Sequence, residues 1–420
     1  MGNKKLGRGV AVVGAGMSKF GSFPGFTSRD IFVDAYKDLL TTVDKGIDPK
    51  DIEAFYLGNY SSDLFEGQAH LAPIIANWIG LSPIPAVRLE GACASSSVAF
   101  REGMIAIASG LYDIVLVGGI EKMTDLPISA VTDTLATAAD IPYEVNAGFT
   151  FPGFYASMAT AYMHAYGATP ETFMKVGIKN HKHGSLNPKA QFGQKISEIM
   201  EIKRASAINK GKPAPTWETE LDFLSDNKSN PLIAWPMRLY DCSPVSDGGA
   251  ALLLVSEELA YQFTDHPIFV IGSGAASDGP LHARSSLTSI PSAKLAADKA
   301  YEMAGVSASD VKLAEVHDCF TIAEIIATED LGFFEEGKGG KAAEEGQTSR
   351  TGSKPINTSG GLKSKGHPVG ASGAGQVVEV WKQLRGQAGD RQLSGNPDLG
   401  LTHNVGGTGQ TCIVNIFERR

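Results

Sequence analysis

The chain repeats itself, and that repeat restricts its possible folds more than any other feature. A run of apolar, strand-type residues at 9–16 (GVAVVGAG) is echoed at 267–274 (PIFVIGSG), and residues 50–55 (KDIEAF) are echoed at 309–314 (SDVKLA). Val10 is answered by Phe269 and Asp51 by Asp310, the same spacing of 259 residues for two separate elements. A shared spacing of this kind points to an internal duplication. The expected architecture is two similar α/β halves.

Periodicity and capping signals fill in the halves. The first half predicts a helix over 28–42, a strand over 51–58, a helix over 68–79, a short strand over 84–89, a helix over 98–109 and a buried strand over 113–121. From 122 to 236 the alternation stops. That stretch is broken by Gly and Pro, rich in aromatics and partly basic, as in Lys179, Lys182 and Lys203. It is expected to be an insertion rather than more of the sheet. Residues 247–255 restore a strand. The second half predicts helices over 293–304 and 321–331, a charged glycine-rich loop over 335–352, a glycine-rich helix start running from 357 to 381, and final strands over 400–404 and 411–416. The expected division is a first half of residues 1–121 and 237–260, an inserted loop domain of 122–236, and a second half of 261–420. The glycine turn at 14–16 lacks the third glycine and the following helix of a dinucleotide fingerprint, so no such site is expected. The cluster from Lys179 to His183 reads as a solvated basic face.

The chemistry centres on Cys93, in the run GACASSS at 91–97. It falls between the strand over 84–89 and a helix. A thiol there feels unpaired N–H groups and the positive end of the helix dipole, which favour the thiolate. Small neighbours let a substrate come close. The alternative is an inert buried cysteine. The other cysteines are Cys242, Cys319 and Cys412, and no two of the four form a C-x-x-C pair. That excludes a zinc-ribbon site within this chain, does not look like a disulfide framework, and fits a reducing cytoplasm. A net charge of −9 argues against nucleic acid as a partner. No run is long enough to span a membrane, and residues 1–6 lack the apolar core of a secretory signal.

Three more clusters carry side chains suited to acid–base work. They are NTSGGLKSKGHPVGASG at 357–373, HDCF at 317–320 and HNVGGTG at 403–409, the last expected in the tight turn between the final strands. Together with Cys93 they resemble the thiolase family. The stretch G-H-P-x-G-x-S-G at 366–373 is the most specific part, and the resemblance reaches the insertion through NPKAQF at 187–192 and DCSPVSDG at 241–248. It implies an α/β, thiolase-like fold: two duplicated βαβαβαββ halves forming a five-layered α-β-α-β-α core, with an inserted loop domain that covers coenzyme A. It also implies a homodimer or a dimer of dimers. The best-known thiolases carry N-E-A-F where this chain has HDCF, and C-x-G where it has Asn404-Val405-Gly406. Those departures resemble the sterol-carrier-protein-type and archaeal branch, in which the second acid/base cysteine comes from HDCF.

By that resemblance, Cys93 is the nucleophile that carries the acyl group and His367 the base that activates it. Cys319 is the second acid/base. His367 and a water held by His317 form one oxyanion hole, and the backbone N–H groups of Cys93 and Gly406 form another. Cys242 and Cys412 are given no chemistry, and His403 is catalytic or structural. The implied reaction is thiolysis of a 3-oxoacyl-CoA or the reverse Claisen condensation, with coenzyme A as a substrate and no metal or redox cofactor. A thiolate suits acyl transfer between thioesters because it is both nucleophile and leaving group. A related condensing enzyme (ketoacyl synthase or 3-hydroxy-3-methylglutaryl-CoA synthase type) and a non-catalytic acyl-CoA or lipid-binding protein are the alternatives. Similarity to archaeal-type members also raises a small zinc-ribbon/OB-fold partner protein, which would then hold any zinc. The acyl group is left open between acetoacetyl and larger branched or aromatic chains.

Overall fold

The computed structural model describes residues 6–420; the first five, where no secretory signal is expected, lie outside the described residues. Eleven strands follow one another along them: β1 (Val10–Met17), β2 (Ala54–Gly58), β3 (Ala86–Leu89), β4 (Ile114–Glu121), β5 (Leu232–Ala234), β6 (Met237–Arg238), β7 (Gly248–Ser256), β8 (Ile268–Ser277), β9 (Leu313–Glu315), β10 (Leu399–Gly406) and β11 (Thr411–Arg419).

The duplication is visible in the pairing. The first half runs β3-β2-β4-β7-β1, parallel from β3 to β4 and antiparallel from β4 to β1. The second half runs β9-β10-β11-β8 with the same senses, and a parallel bridge from Ala314 to Ile356 stands where the β3 counterpart belongs. Ala11 pairs with Phe269 and Val12 with Ile268, so β1 and β8 join the halves into one nine-stranded sheet.

Buried side chains fall into layers because strand residues alternate between faces. Val10 and Val12 join the cluster built on the helices Ser95–Ala108 and Ser372–Leu384, whereas Ala11 and Val13 join the one beneath Ser28–Leu40 and Leu71–Trp78. A bulge between Val12 and Gly14 resets the alternation, which returns Ala15 and Met17 to the first cluster. The outer face of the second half packs under Pro291–Ala304 and Thr321–Asp330. Helix, sheet, helix, sheet, helix is the result, a five-layered core whose central layer holds one helix from each half.

Several expectations change. The glycines at 14–16 and 272–274 are not turns; β1 continues to Met17 and β8 to Ser277. Gly16 and Gly274 stand where an outer helix lies directly on the strand, since a Cβ would be 2.0 Å from Leu39 N and 1.8 Å from Ala296 O respectively. His403 and Asn404 lie in β10, fully paired with β11, so the tight turn begins only after Gly406. The loop over 335–352 contains the helix Gly339–Glu344. The insertion is largely helical, with Ile128–Ala136, Phe151–Tyr166, Pro170–Gly184, Ile196–Asn209 and Glu220–Ser225, plus the β5–β6 hairpin. Its basic cluster is only partly a solvated face: Lys182 is exposed, whereas Asn180, His181 and His183 are buried. Asn180 Nδ2 donates to Asp318 at 2.7 Å and Glu324 at 2.8 Å, and Lys179 pairs with Glu324. The helix charges there tie the insertion to the second half.

Replacing Gly274 by Ala forces β8 and its helix apart. The expected loss of stability is about 1–3 kcal/mol, measured as a lower urea midpoint. Gly193→Ala, where a Cβ meets nothing within 4 Å, is expected to stay within about 0.5 kcal/mol of the parent.

Candidate active site

Cys93 lies in a single 3-10 turn, Ala92–Ala94, that leads into the helix Ser95–Ala108. The residue before it, Ala92, has φ +50°, a left-handed conformation that costs a residue with a Cβ on the order of 1–3 kcal/mol. Local bonds hold the turn: Ser95 Oγ donates to Ala92 O at 2.6 Å and accepts from Gly91 N–H at 3.0 Å, and Glu90 accepts from Ala92 N–H. The second half builds the matching turn at Val369–Ala371 before the helix Ser372–Leu384. The two helix starts meet through small residues. Ala374 N–H donates to Ser96 Oγ at 2.9 Å, and a Cβ on Gly373 would lie 2.2 Å from Ser97 Oγ. His367, just ahead of the second turn, thereby comes to Cys93.

Cys93 Sγ and ring nitrogens of His317 and His367 lie within 4.8 Å of one another, and the two rings meet edge-on at 5.2 Å. Their hydrogen bonds assign opposite tautomers. Ser372 Oγ donates its hydrogen to Pro368 O at 2.9 Å, so at 2.7 Å from His367 Nδ1 it accepts. Nδ1 therefore carries the proton and Nε2 keeps a lone pair. Ser97 Oγ donates to Asn404 Oδ1 at 2.9 Å, which turns the amide NH2 of Asn404 toward His317 Nδ1 at 3.0 Å. His317 Nδ1 accepts, and its Nε2–H has no protein partner although it is buried. One imidazole is a base; the other is a donor aimed at a ligand. A metal would need lone pairs from both, which this hydrogen bonding does not supply.

Burial reverses one expectation from the helix dipole. It pushes the Cys93 thiol up to about 12, with the Glu121 carboxylate behind it adding to the shift, while the Gly407 N–H and its own N–H pull the other way. Burial also holds His367 down to about 3, aided by Lys365. The resting pair is neutral thiol and neutral imidazole.

Gly406 ends β10 and packs behind the nucleophile, where a Cβ would be 2.1 Å from Gly91 O. The N–H that reaches the Cys93 sulfur belongs to the next residue, Gly407, which lines the cavity. Cys319 is buried, its thiol pushed well up by burial, and opens onto the same cavity as Cys93. That cavity holds about 180 Å³ and is mostly apolar, with Tyr60, Met123, Leu135, Phe151 and Val369 among its walls. Cys242 borders it, and Cys412 is core. His403 Nδ1 accepts from His317 N–H at 3.4 Å, a supporting contact outside the cavity. Sequence reasoning missed Ser372, Asn404, Gly407 and Tyr155 as parts of the site. The first three sat inside the quoted motifs; nothing marked Tyr155.

A duplicated five-layered α/β chain with two cysteines and a histidine in one apolar cavity fits an acyltransferase of the thioester-exchanging class. Family comparison agrees: residues 10–258 match the "Thiolase, N-terminal domain" model and residues 273–419 the "Thiolase C-terminal domain-like" model. The chain belongs to the thiolase family. It is 43% identical to "Acetyl-CoA acetyltransferase" of Methanothermobacter thermautotrophicus, over 98% of this chain and 100% of that one. It is 33% identical to "Sterol carrier protein 2" of Bos taurus, over 97% of this chain and 72% of that one. Among solved structures, "Ltp2-ChsH2(DUF35) aldolase" superposes with a TM-score of 0.78 at 23% identity, covering 99% of each chain.

Ser372→Ala frees the His367 tautomer and is expected to lower kcat on the order of 100-fold with KM little changed, measured by steady-state thiolysis. Iodoacetamide labelling of Cys93 should climb steadily from about pH 6 to about pH 9, without the plateau near neutrality that a resting thiolate–imidazolium pair gives.

Proposed function

We propose that this protein carries out 3-oxoacyl-CoA thiolysis and the reverse Claisen condensation, with Cys93 holding the acyl group. The observation that carries the reading is the convergence of Cys93, an Nε2-basic His367 and an Nε2–H donor on His317, with Cys319 across the same cavity. His367 takes the Cys93 proton as the sulfur attacks the thioester or 3-oxo carbonyl. The N–H groups of Cys93 and Gly407 suit the oxyanion on that carbonyl. His317, directly or through a water, and His367 suit the enolate oxygen of the second acyl-CoA, and Cys319 exchanges its α-proton. Coenzyme A is a substrate throughout.

Residues 122–236 are proposed as the cover over the coenzyme. The apolar walls suit an acyl group, and the family's acetyltransferase relatives favour acetyl as the transferred unit. The free cysteines fit a reducing cytoplasm. Among the described residues no helix is long and apolar enough to cross a membrane. A homo-oligomer is proposed, with a small DUF35-type protein as a partner, after the assembly named for the Ltp2 structure.

Incubation with acetyl-CoA is expected to leave an acetyl group on the Cys93 peptide by mass spectrometry, and Cys93→Ala to abolish both the adduct and thiolysis of acetoacetyl-CoA. Thiolysis that survives in Cys93→Ala would overturn the reading.

A further inference from the structure

One buried polar side chain of the insertion comes close to Cys319, and neither motif nor resemblance marks it. Tyr155, on the helix Phe151–Tyr166, is fully buried and stacked on Phe320 with ring centres 4.6 Å apart. Its hydroxyl donates to Gly407 O at 3.2 Å and lies within hydrogen-bonding reach of the Cys319 thiol. The N–H of Gly407, on the preceding peptide unit, acts on the Cys93 sulfur. Tyr155 therefore neighbours the second cysteine and is linked to the first only through the residue Gly407.

Behind it stands Arg284. Its side chain is 2% exposed, and none of its three nitrogens has a hydrogen-bond partner. Asp278 is 3.5 Å away without a hydrogen bond, and Nη2 lies 2.6 Å from where a Gly409 Cβ would be, directly behind the 406–410 turn. Its charge also acts on Tyr155. A buried cation with unspent donors is costly unless negative charge forms nearby.

We propose that Tyr155, backed by Arg284, is a positioning residue that holds Cys319 as the thiolate during exchange of the α-proton. The inference rests on the acyl-transfer reading above. A phenol has one hydrogen to give. While Cys319 is a thiol, Tyr155 donates to Gly407 O and accepts from S–H. When Cys319 is a thiolate it can only accept, and the hydroxyl turns to donate to sulfur without main-chain movement.

Proton count gives this turn its use. The free enzyme holds one proton on Cys93 and one on Cys319. Acetylation of Cys93 forms the Cys93–acetyl bond, breaks the bond from the acetyl group to the CoA sulfur, and releases CoA as its thiol with one of those protons. The other is shared between His367 and Cys319. Tyr155 and Arg284 favour imidazolium on His367 and thiolate on Cys319. The thiolate then takes the α-proton of the second acetyl-CoA, and the C–H electron pair becomes the enolate. The enolate attacks the acetyl carbon, a C–C bond forms, the Cys93–acyl bond breaks, and His367 returns its proton to Cys93. Thiolysis runs the same steps backwards. The charged and titratable groups facing Cys319 are Tyr155 from the insertion, Asp318 from its own segment and Cys93 from the first turn; Arg284, flanked by Glu144 and Asp330, stands behind Tyr155.

The test is Tyr155→Phe, which keeps the ring stack, with Arg284→Gln as a second variant that leaves the cavity wall intact. Exchange of labelled CoA into acetyl-CoA reads the Cys93 half-reaction, in which Cys319 takes no part, and is expected to fall far less than α-proton exchange. Exchange of the acetyl-CoA α-protons with deuterium is expected to fall about 10- to 100-fold in Tyr155→Phe and less in Arg284→Gln. Its rising pH limb should move to higher pH, because a thiolate that loses a donor binds its proton more tightly. Unchanged deuterium exchange with an unchanged pH limb would overturn the proposal. So would an equal fall in both exchanges, which marks a structural role. Failure of the parent protein to exchange CoA at all would instead sink the acyl-transfer reading.

Discussion

Everything in this protein hangs on two helix starts pressed together in the central layer. Ser96 and Ser97 of one half meet Gly373 and Ala374 of the other at distances that admit no larger side chain. Glu121 clamps the contact from the side. Its carboxylate accepts from the N–H groups of Tyr60 and Gly370, one from each half, at 2.8 and 3.0 Å. Burial pushes that carboxyl up to about 7, and the backbone donors around it counter the shift. The two similar halves of the sheet hold the helices from opposite faces, so the site sits on rigid elements rather than on a mobile loop. The duplication is thus the means by which a cysteine and a histidine 274 residues apart in the sequence, Cys93 and His367, reach one another.

Within that frame, two hydroxyls and one amide decide what the histidines do. Ser372 has spent its hydrogen on Pro368 O, so His367 must give up Nδ1–H and keep Nε2 basic. Ser97 orients Asn404, so His317 must do the reverse. Two identical side chains become base and donor through partners that never touch a substrate. The apolar cavity then holds both cysteines as neutral thiols at rest, which ties the appearance of thiolate to the arrival of an acyl group.

Much of this was legible in order along the chain. The 259-residue spacing announced two halves, and the pairing orders β3-β2-β4-β7-β1 and β9-β10-β11-β8 repeat as it requires. Cys93, His317, Cys319 and His367 were all singled out by residue type and company; the fold brings Cys93, Cys319 and His367 to one cavity and His317 beside Cys93 and His367. Where the reading slipped, tertiary packing outweighed a local signal. Glycines at 14–16 looked like a turn because glycine usually marks one, yet here they make room for the helix Ser28–Leu40. Lys179 looked solvated because lysines usually are, but the buried carboxylate of Glu324 on another element compensates its burial. The helix dipole favoured a Cys93 thiolate, and desolvation outweighed it.

The sequence by itself determined the duplicated α/β plan, the family, and the candidate cysteine and histidine, because these are written in spacing and in short contiguous motifs. Only the tertiary structure decided which nitrogen of each histidine carries the proton, that the Gly407 N–H acts on the Cys93 sulfur, and that Tyr155 of the insertion comes close to Cys319. Each of those depends on contacts between residues far apart in the chain, and hydrogen-bond direction is a property of the assembled neighbours, not of any one residue.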